Sequence, residues 1–410
     1  MTTCSSTRTP SSRATRPRCR ARLCKLRGGL LPLCLVFLLG VPAAASEWPL
    51  ARGDRAGTGA SKQGLPDEPR LLWQYKPGGE TAFEATPVVA GGVVYLGDAD
   101  GTLHAVGLDT GKPVWKRTIE DSGFTAGAAV AGGRLFVGDY NGVVRCFSLA
   151  GGDEGSEAWS FATESEVNAA PIPHGDTLLV TTEAGELIAL AAATGDERWR
   201  FQIDGPLRCS PTVLAGTGGS GHALLAGCDA RLTAVDLATG REAGAVDIGG
   251  QTGSTAAILG RRAYFGTEAG EFLAVDAGDP ATPKIAWRYR DPRRGQGIRT
   301  AAAVTDQLVA YGSNGKALYG LRPADGEALW EKPVRSRVES SPVIVRGPQG
   351  AARVVAATAR GRLLMLDAAS GETLWQYDAG GGFAGSPAVA AGRLLIANTD
   401  GTLYCFGGGE

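Results

Sequence analysis

Methionine occurs twice and histidine three times in 410 residues. His104, His174 and His222 stand in separate stretches with no ligand spacing, so no metal site is expected and satisfied or solvated rings are. Acidic residues are missing from residues 1–45, which hold eight Lys/Arg; the remainder carries 33 basic against 42 acidic side chains, a formal −9. An acidic body is a poor nucleic-acid binder, because neutralising phosphates supplies most non-specific affinity. Nucleic acid is excluded on that ground. The run Gly216-Thr-Gly-Gly-Ser-Gly221 lacks a following Lys-Ser/Thr, so it is no phosphate loop, and no Gly-x-Ser-x-Gly elbow occurs. Asp153/Glu154 and Arg293-Arg294 read as solvated loop charges. Glycine is abundant instead, 61 residues or about twice its usual share, without a collagen period. With 43% hydrophobic residues the chain can build a sizeable core.

The first 45 residues read as an export leader. A basic stretch precedes Gly29–Val41, and Pro42-Ala-Ala-Ala45 supplies a small-residue cleavage site. That 13-residue apolar run is short for a membrane span, and no other segment is long and apolar enough. Cys34 follows Leu-Pro-Leu, a poor lipidation signal. The mature chain is expected to be exported, periplasmic or in the cell envelope, with residues 46–70 an extended N-terminal segment and 71–410 the folded body.

That body repeats itself. One unit runs from Thr86 to Trp115, and its echoes end at Trp159, Trp199, Trp287, Trp330 and Trp375, with Gly244 where one tryptophan is lost and Trp73 before the first complete unit. Each unit contains four short β-rich runs. The first two flank a pair such as Gly91-Gly92, and the next two are joined at Asp100-Gly101 or its equivalents, from Asn141-Gly142 to Asp400-Gly401. Such pairs between β-rich runs are hairpin turns. Four antiparallel strands every 40–45 residues describe a propeller blade. Eight outer strands and eight inner strands can be counted, so the expectation is an all-β, eight-bladed β-propeller. Its last blade joins the N-terminal outer strand to the C-terminal inner strands and removes both free edges. Seven blades is the alternative.

The spacing Ala105…Thr110-Gly111…Trp115 recurs as Ala189…Thr194-Gly195…Trp199, with looser copies ending at Trp330 and Trp375. It resembles the tryptophan-docking repeat of the quinoprotein (pyrroloquinoline-quinone-type) propellers, over roughly residues 71–410. The segment Trp48-Pro-Leu-Ala-Arg-Gly-Asp-Arg resembles the opening of many exported proteins with these repeats. The resemblance implies one of two classes. The first is a non-catalytic exported scaffold that binds protein or cell-envelope partners through one face, as in the group containing the lipoprotein scaffold of the outer-membrane β-barrel assembly machine. The alternative is a dehydrogenase of alcohols or sugars dependent on pyrroloquinoline quinone with calcium. The enzymes carry an adjacent Cys-Cys pair and long roofing insertions, and this chain has neither; nor has it a Cys-x-x-Cys-His haem motif. The expectation is therefore the scaffold, with no cofactor and no catalytic residue.

Four residue sets follow from aligning the units. Trp73, Trp115, Trp159, Trp199, Trp287, Trp330 and Trp375 are read as structural, each filling a space between blades that Gly244 would leave open. The small residues Thr86, Gly127, Ala170, Ser210, Thr255, Ala301, Ser341 and Ser386 should line an axial tunnel, and two residues earlier a ring containing Glu84, Asn168, Arg208, Arg299 and Glu339 should form its mouth, sharing a face with the Asp100-Gly101 turns. Arg208 and Arg299 could clamp a carboxylate of a partner's acidic loop or of a small anion. The alternative is that Glu84 and Glu339 neutralise them. Finally, Cys209 aligns with Ala85 and Cys228 with Asp98, positions facing each other across a hairpin, which predicts a Cys209–Cys228 disulfide in an oxidising compartment; two unpaired thiols are the alternative.

Overall fold

In the unit that begins at Thr86, glycine pairs and alternating β-branched residues produce the strands Val88–Ala90, Val93–Gly97, Thr102–Gly107 and Pro113–Thr118. Gly91 and Gly92 both take positive φ, as does Gly101, so the hairpins close without strain. This is blade 1. Blades 2 to 7 repeat it, and blade 8 pairs Arg70–Tyr75 with Leu403–Gly407, Arg393–Ala397 and Ala388–Ala390. The computed structural model therefore contains eight four-stranded blades closed as the sequence predicts, and seven is ruled out. It describes residues 47–408 except 217–220, 291 and 293–295. The expected leader and the Arg293-Arg294 pair lie outside the described residues. Among the described residues no helix is long and apolar enough to cross a membrane.

The tryptophans join neighbours. Trp73, on blade 8, lies against Gly111 in the turn of blade 1, so close that a Cβ on that glycine would come within 2.6 Å of the indole; its Nε1 donates to the Leu108 carbonyl at 2.9 Å. Trp159 and Trp330 repeat the contact on Gly195 and Gly371, donating to Ala192 and Ala368. Trp115, Trp199 and Trp287 dock on Gly155, Gly240 and Gly326. Trp375 packs edge-on to Phe406 of blade 8. A small or slender residue stands opposite each indole, Ala105 for Trp115 and Cys405 for Trp73 among them. The gap expected at Gly244 does not exist. The 280–281 backbone has moved in, and a Cβ at Gly244 would lie 2.4 Å from the Ala281 carbonyl oxygen.

The N-terminal segment has a role that its sequence does not advertise. Residues 48–59 run as a collar beneath the innermost strands, offering one backbone carbonyl after another. Trp48, Pro49, Arg55, Ala56, Thr58 and Gly59 accept from the amides of Val89, Val130, Val213, Ile258, Val304 and Ile344, each three residues beyond a small axial residue. Blade 3 has Pro173 at that position and no amide to give; there the Arg55 side chain donates to the Pro173 carbonyl at 2.6 Å. Ala60–Gly64 then adds a fifth, parallel strand to blade 7.

Candidate functional site

The eight small residues do face the axis. They line one cavity of about 250 Å³ together with Ala51 and Arg52 of the collar. The wall explains its own hydroxyls. Thr255, Ser341, Ser386 and Thr86 each accept, through Oγ, the backbone amide of the corresponding residue one blade earlier: Ser210, Ala301, Ser341 and Ser386, at 2.9–3.1 Å. With collar residues at one end, the cavity is a cup with a mouth.

Of the expected mouth residues, Glu84, Asn168, Arg208 and Arg299 line the cavity. Glu339 is not among its lining residues and pairs with Arg337 at 3.4 Å. Neither Glu84 nor Glu339 neutralises the arginines. That task falls to Glu183 and Glu268, one residue before Ala184-Gly185 and Ala269-Gly270: Arg208 Nε donates to both Glu183 oxygens at 3.0–3.1 Å and Arg299 Nε to Glu268 at 2.8 Å. Asn168 donates to Glu166 at 2.9 Å and to Glu183 at 3.3 Å, and accepts from Thr125. A polar arc thus follows the mouth through blades 2 to 6. The hydrogen bond with Glu183 pushes the Arg208 guanidinium above its ordinary value. Both arginines stay open to solvent, at 59% and 63% side-chain exposure, and only Nε of each is engaged among the described residues. Their terminal Nη groups are available to an incoming carboxylate. Exposed ion pairs such as these are worth about 0–1 kcal/mol, so exchanging partners costs little.

The expected Cys209–Cys228 disulfide is not formed; both thiols are free. The register explains it. Thr212 pairs with Leu224, which sets Cys209 opposite Gly227 rather than Cys228, and a slip of one residue turns a side chain to the other face. Cys209 is buried and donates to the Ala226 carbonyl at 3.0 Å. Cys228 sits half-buried in the turn at the mouth, directed to the Thr252 carbonyl at 3.7 Å.

His104 is buried, held between Asp98 at 2.9 Å and the Tyr75 hydroxyl at 3.0 Å, which ties blade 1 to blade 8. His222 approaches Asp236 at 3.9 Å. No three His, Cys, Asp or Glu residues cluster to hold a metal among the described residues. A quinone with calcium does not suit the cup: calcium takes six to eight oxygen ligands, and the lining offers one carboxylate, Glu84. A groove of about 620 Å³ lies at the opposite face between blades 1 and 2, walled by Val93, Val114, Trp115 and Leu149 together with the charged side chains of Glu47, Arg55 and Glu154.

An eight-bladed ring with indoles docked on the next blade's turn defines a quinoprotein-type repeat propeller. The family described as outer membrane protein assembly factor BamB matches residues 66–154, 99–258 and 153–407, and the chain belongs to it. It is 26% identical over 358 residues to the outer membrane protein assembly factor BamB of Burkholderia pseudomallei (strain K96243), covering 82% of this chain and 87% of that protein. The crystal structure of BamB from Moraxella catarrhalis is similar in fold, with a TM-score of 0.67, 17% identity, and coverage of 83% of this chain and all of that one. So is the quinohemoprotein alcohol dehydrogenase of Comamonas testosteroni, at TM-score 0.73 and 16% identity, covering 89% and 81%. At such identities the two structures speak for the fold alone.

Proposed function

We propose that this chain is an exported, non-catalytic scaffold of the cell envelope that takes part in outer-membrane protein assembly and holds a protein partner at the mouth of the propeller. One observation carries the reading. Arg208 and Arg299 stand four residues ahead of the innermost strands Thr212–Ala215 and Ala303–Val304, with their Nη groups turned free while Nε is braced by Glu183 and Glu268. Two braced, exposed guanidiniums suit an acidic loop, because bidentate guanidinium–carboxylate bonds add geometry as well as energy. Family membership supports the assembly role. The donor set of the cup supports the absence of quinone chemistry.

An Arg208→Ala/Arg299→Ala double variant tests it. Pull-down from envelope extracts should lose the outer-membrane assembly partner that the parent chain retains, while thermal melting stays unchanged. Equal capture by the double variant moves the interface elsewhere. Loading the protein with pyrroloquinoline quinone and calcium and assaying dye-linked alcohol or sugar oxidation addresses the dehydrogenase alternative; turnover there would overturn the non-catalytic reading.

A further inference from the structure

Deep in the cup stands a charge that the scaffold reading does not use. Arg52 is 8% exposed and lines the inner end of the cavity. Its Nη groups donate to three carbonyl oxygens, of Ser341 at 3.3 Å, Ala302 at 3.0 Å and Pro342 at 2.7 Å. Its Nε is buried with no hydrogen-bond partner. No carboxylate bonds to it among the described residues: the nearby Asp54, whose charge favours the guanidinium, accepts instead from the Thr58 amide and hydroxyl. Burial draws the guanidinium down to about 10, which still leaves it cationic at neutral pH. A buried cation bonded only to neutral carbonyls is costly unless something anionic joins it.

The wall above it points the same way. The hydroxyls of Thr86, Thr255, Ser341 and Ser386 each accept a backbone amide, and no acceptor for their own protons is found among the described residues. The middle of the cup therefore presents O–H donors around its lumen. Arg208 and Arg299 have Glu183 and Glu268, and Glu84, the one carboxylate of the lining, belongs to the ring at the mouth, so among the described residues Arg52 has no ion-pair partner at the inner end of the cup. A single carboxylate group would supply that partner. A cavity of about 250 Å³ has the room of about eight water molecules at ~30 Å³ each.

We infer that the cup binds a small monocarboxylate, its carboxylate on Arg52 and its remaining oxygens toward the hydroxyl ring. This is a site for a free small molecule, separate from the partner contact at the mouth. Acetate and lactate serve as probes, titrated into the purified mature protein at fixed ionic strength while thermal melting and isothermal calorimetry are followed. Saturable binding with a rise in melting temperature is expected, weakened at least tenfold by Arg52→Gln and kept by Arg208→Ala/Arg299→Ala. Because Arg52→Gln could loosen the collar, Ala301→Leu provides a second variant: it fills the cup, leaves Arg52 and the Ala301 amide in place, and should also abolish binding. Absence of saturable binding, or binding that survives either Arg52→Gln or Ala301→Leu, overturns the inference. So does binding lost only in the mouth variant, which would put the ligand on Arg208 and Arg299. Equal binding of inorganic phosphate overturns the carboxylate assignment.

Discussion

Restoring the missing tryptophan at position 244 should harm the protein. Seven other outer strands carry tryptophan at this slot, and burying an indole ordinarily contributes roughly 2–3 kcal/mol. Consensus logic therefore favours Gly244→Trp. The structure reverses the sign, because the 280–281 backbone already fills the space, with the Ala281 carbonyl oxygen 2.4 Å and the Pro280 oxygen 2.6 Å from where a Cβ would be built. Backbone cannot swing aside as a flexible side chain would. Even Gly244→Ala, which elsewhere in a strand should gain about 0.5–1 kcal/mol from reduced chain entropy, must displace that turn. Overpacking costs typically about 1–3 kcal/mol. For roughly 360 ordered residues, at about 2.1 cal/mol/K each, this corresponds to a fall in melting temperature of about 1–4 °C. Differential scanning calorimetry of parent, Gly244→Ala and Gly244→Trp measures it directly. A higher melting temperature for Gly244→Trp would refute the idea that the turn substitutes for the ring.

Four further outcomes are expected. Trp330→Ala should cost about 3–5 kcal/mol, since a nearly buried indole and its bond to Ala368 are both removed; denaturant midpoints check this. Burial alone would raise the Asp98 carboxyl, but the hydrogen bond from His104 and the amides of Thr102 and Asp100 outweigh it and hold it below its ordinary value. Its stabilising contribution is then present above the unfolded value near 3.9 and lost as pH falls through the folded one, so Asp98→Asn should flatten the acid limb of stability against pH. Ala230 and Lys316 hold positive φ where other blades place glycine, and Ala230→Gly or Lys316→Gly should each raise stability by about 1 kcal/mol in the same denaturation assay. In alkylation of the native protein Cys228 should react first; burial pushes Cys209 and Cys405 up to about 12, and they should be modified only on unfolding. A Cys209–Cys228 peptide in a non-reduced digest would contradict the register of blade 4.

The repeat made the blades legible, because hairpin glycines and alternating apolar residues act locally, and period alone then gives the count. The docking of tryptophan on the next blade's glycine follows from the same pattern. What escaped had other causes. Two blades depart from the template by one residue: positive φ falls on Ala230 and Lys316, and counting along blade 4 set Cys228 where Gly227 belongs. The counter-ions of Arg208 and Arg299 lie on turns between second and third strands, whereas the alignment sought them within the ring itself. Glu183 and Glu268 could have been found by aligning the residues that precede Gly185 and Gly270 as a second ring. The collar left little side-chain signal, since it binds largely through its own carbonyls; Arg55 opposite Pro173 and Arg52 on the carbonyls of Ala302, Ser341 and Pro342 are exceptions.

The face at which the partner docks is tested most directly by site-specific photo-crosslinking in the cell envelope. A photoreactive residue at Thr125, in the arc of the mouth, should crosslink an outer-membrane assembly protein, and the product should disappear in the Arg208→Ala/Arg299→Ala background. The same residue at Gly132, in a turn of the opposite face, should give none. A partner captured from Gly132 and not from Thr125 would contradict the account.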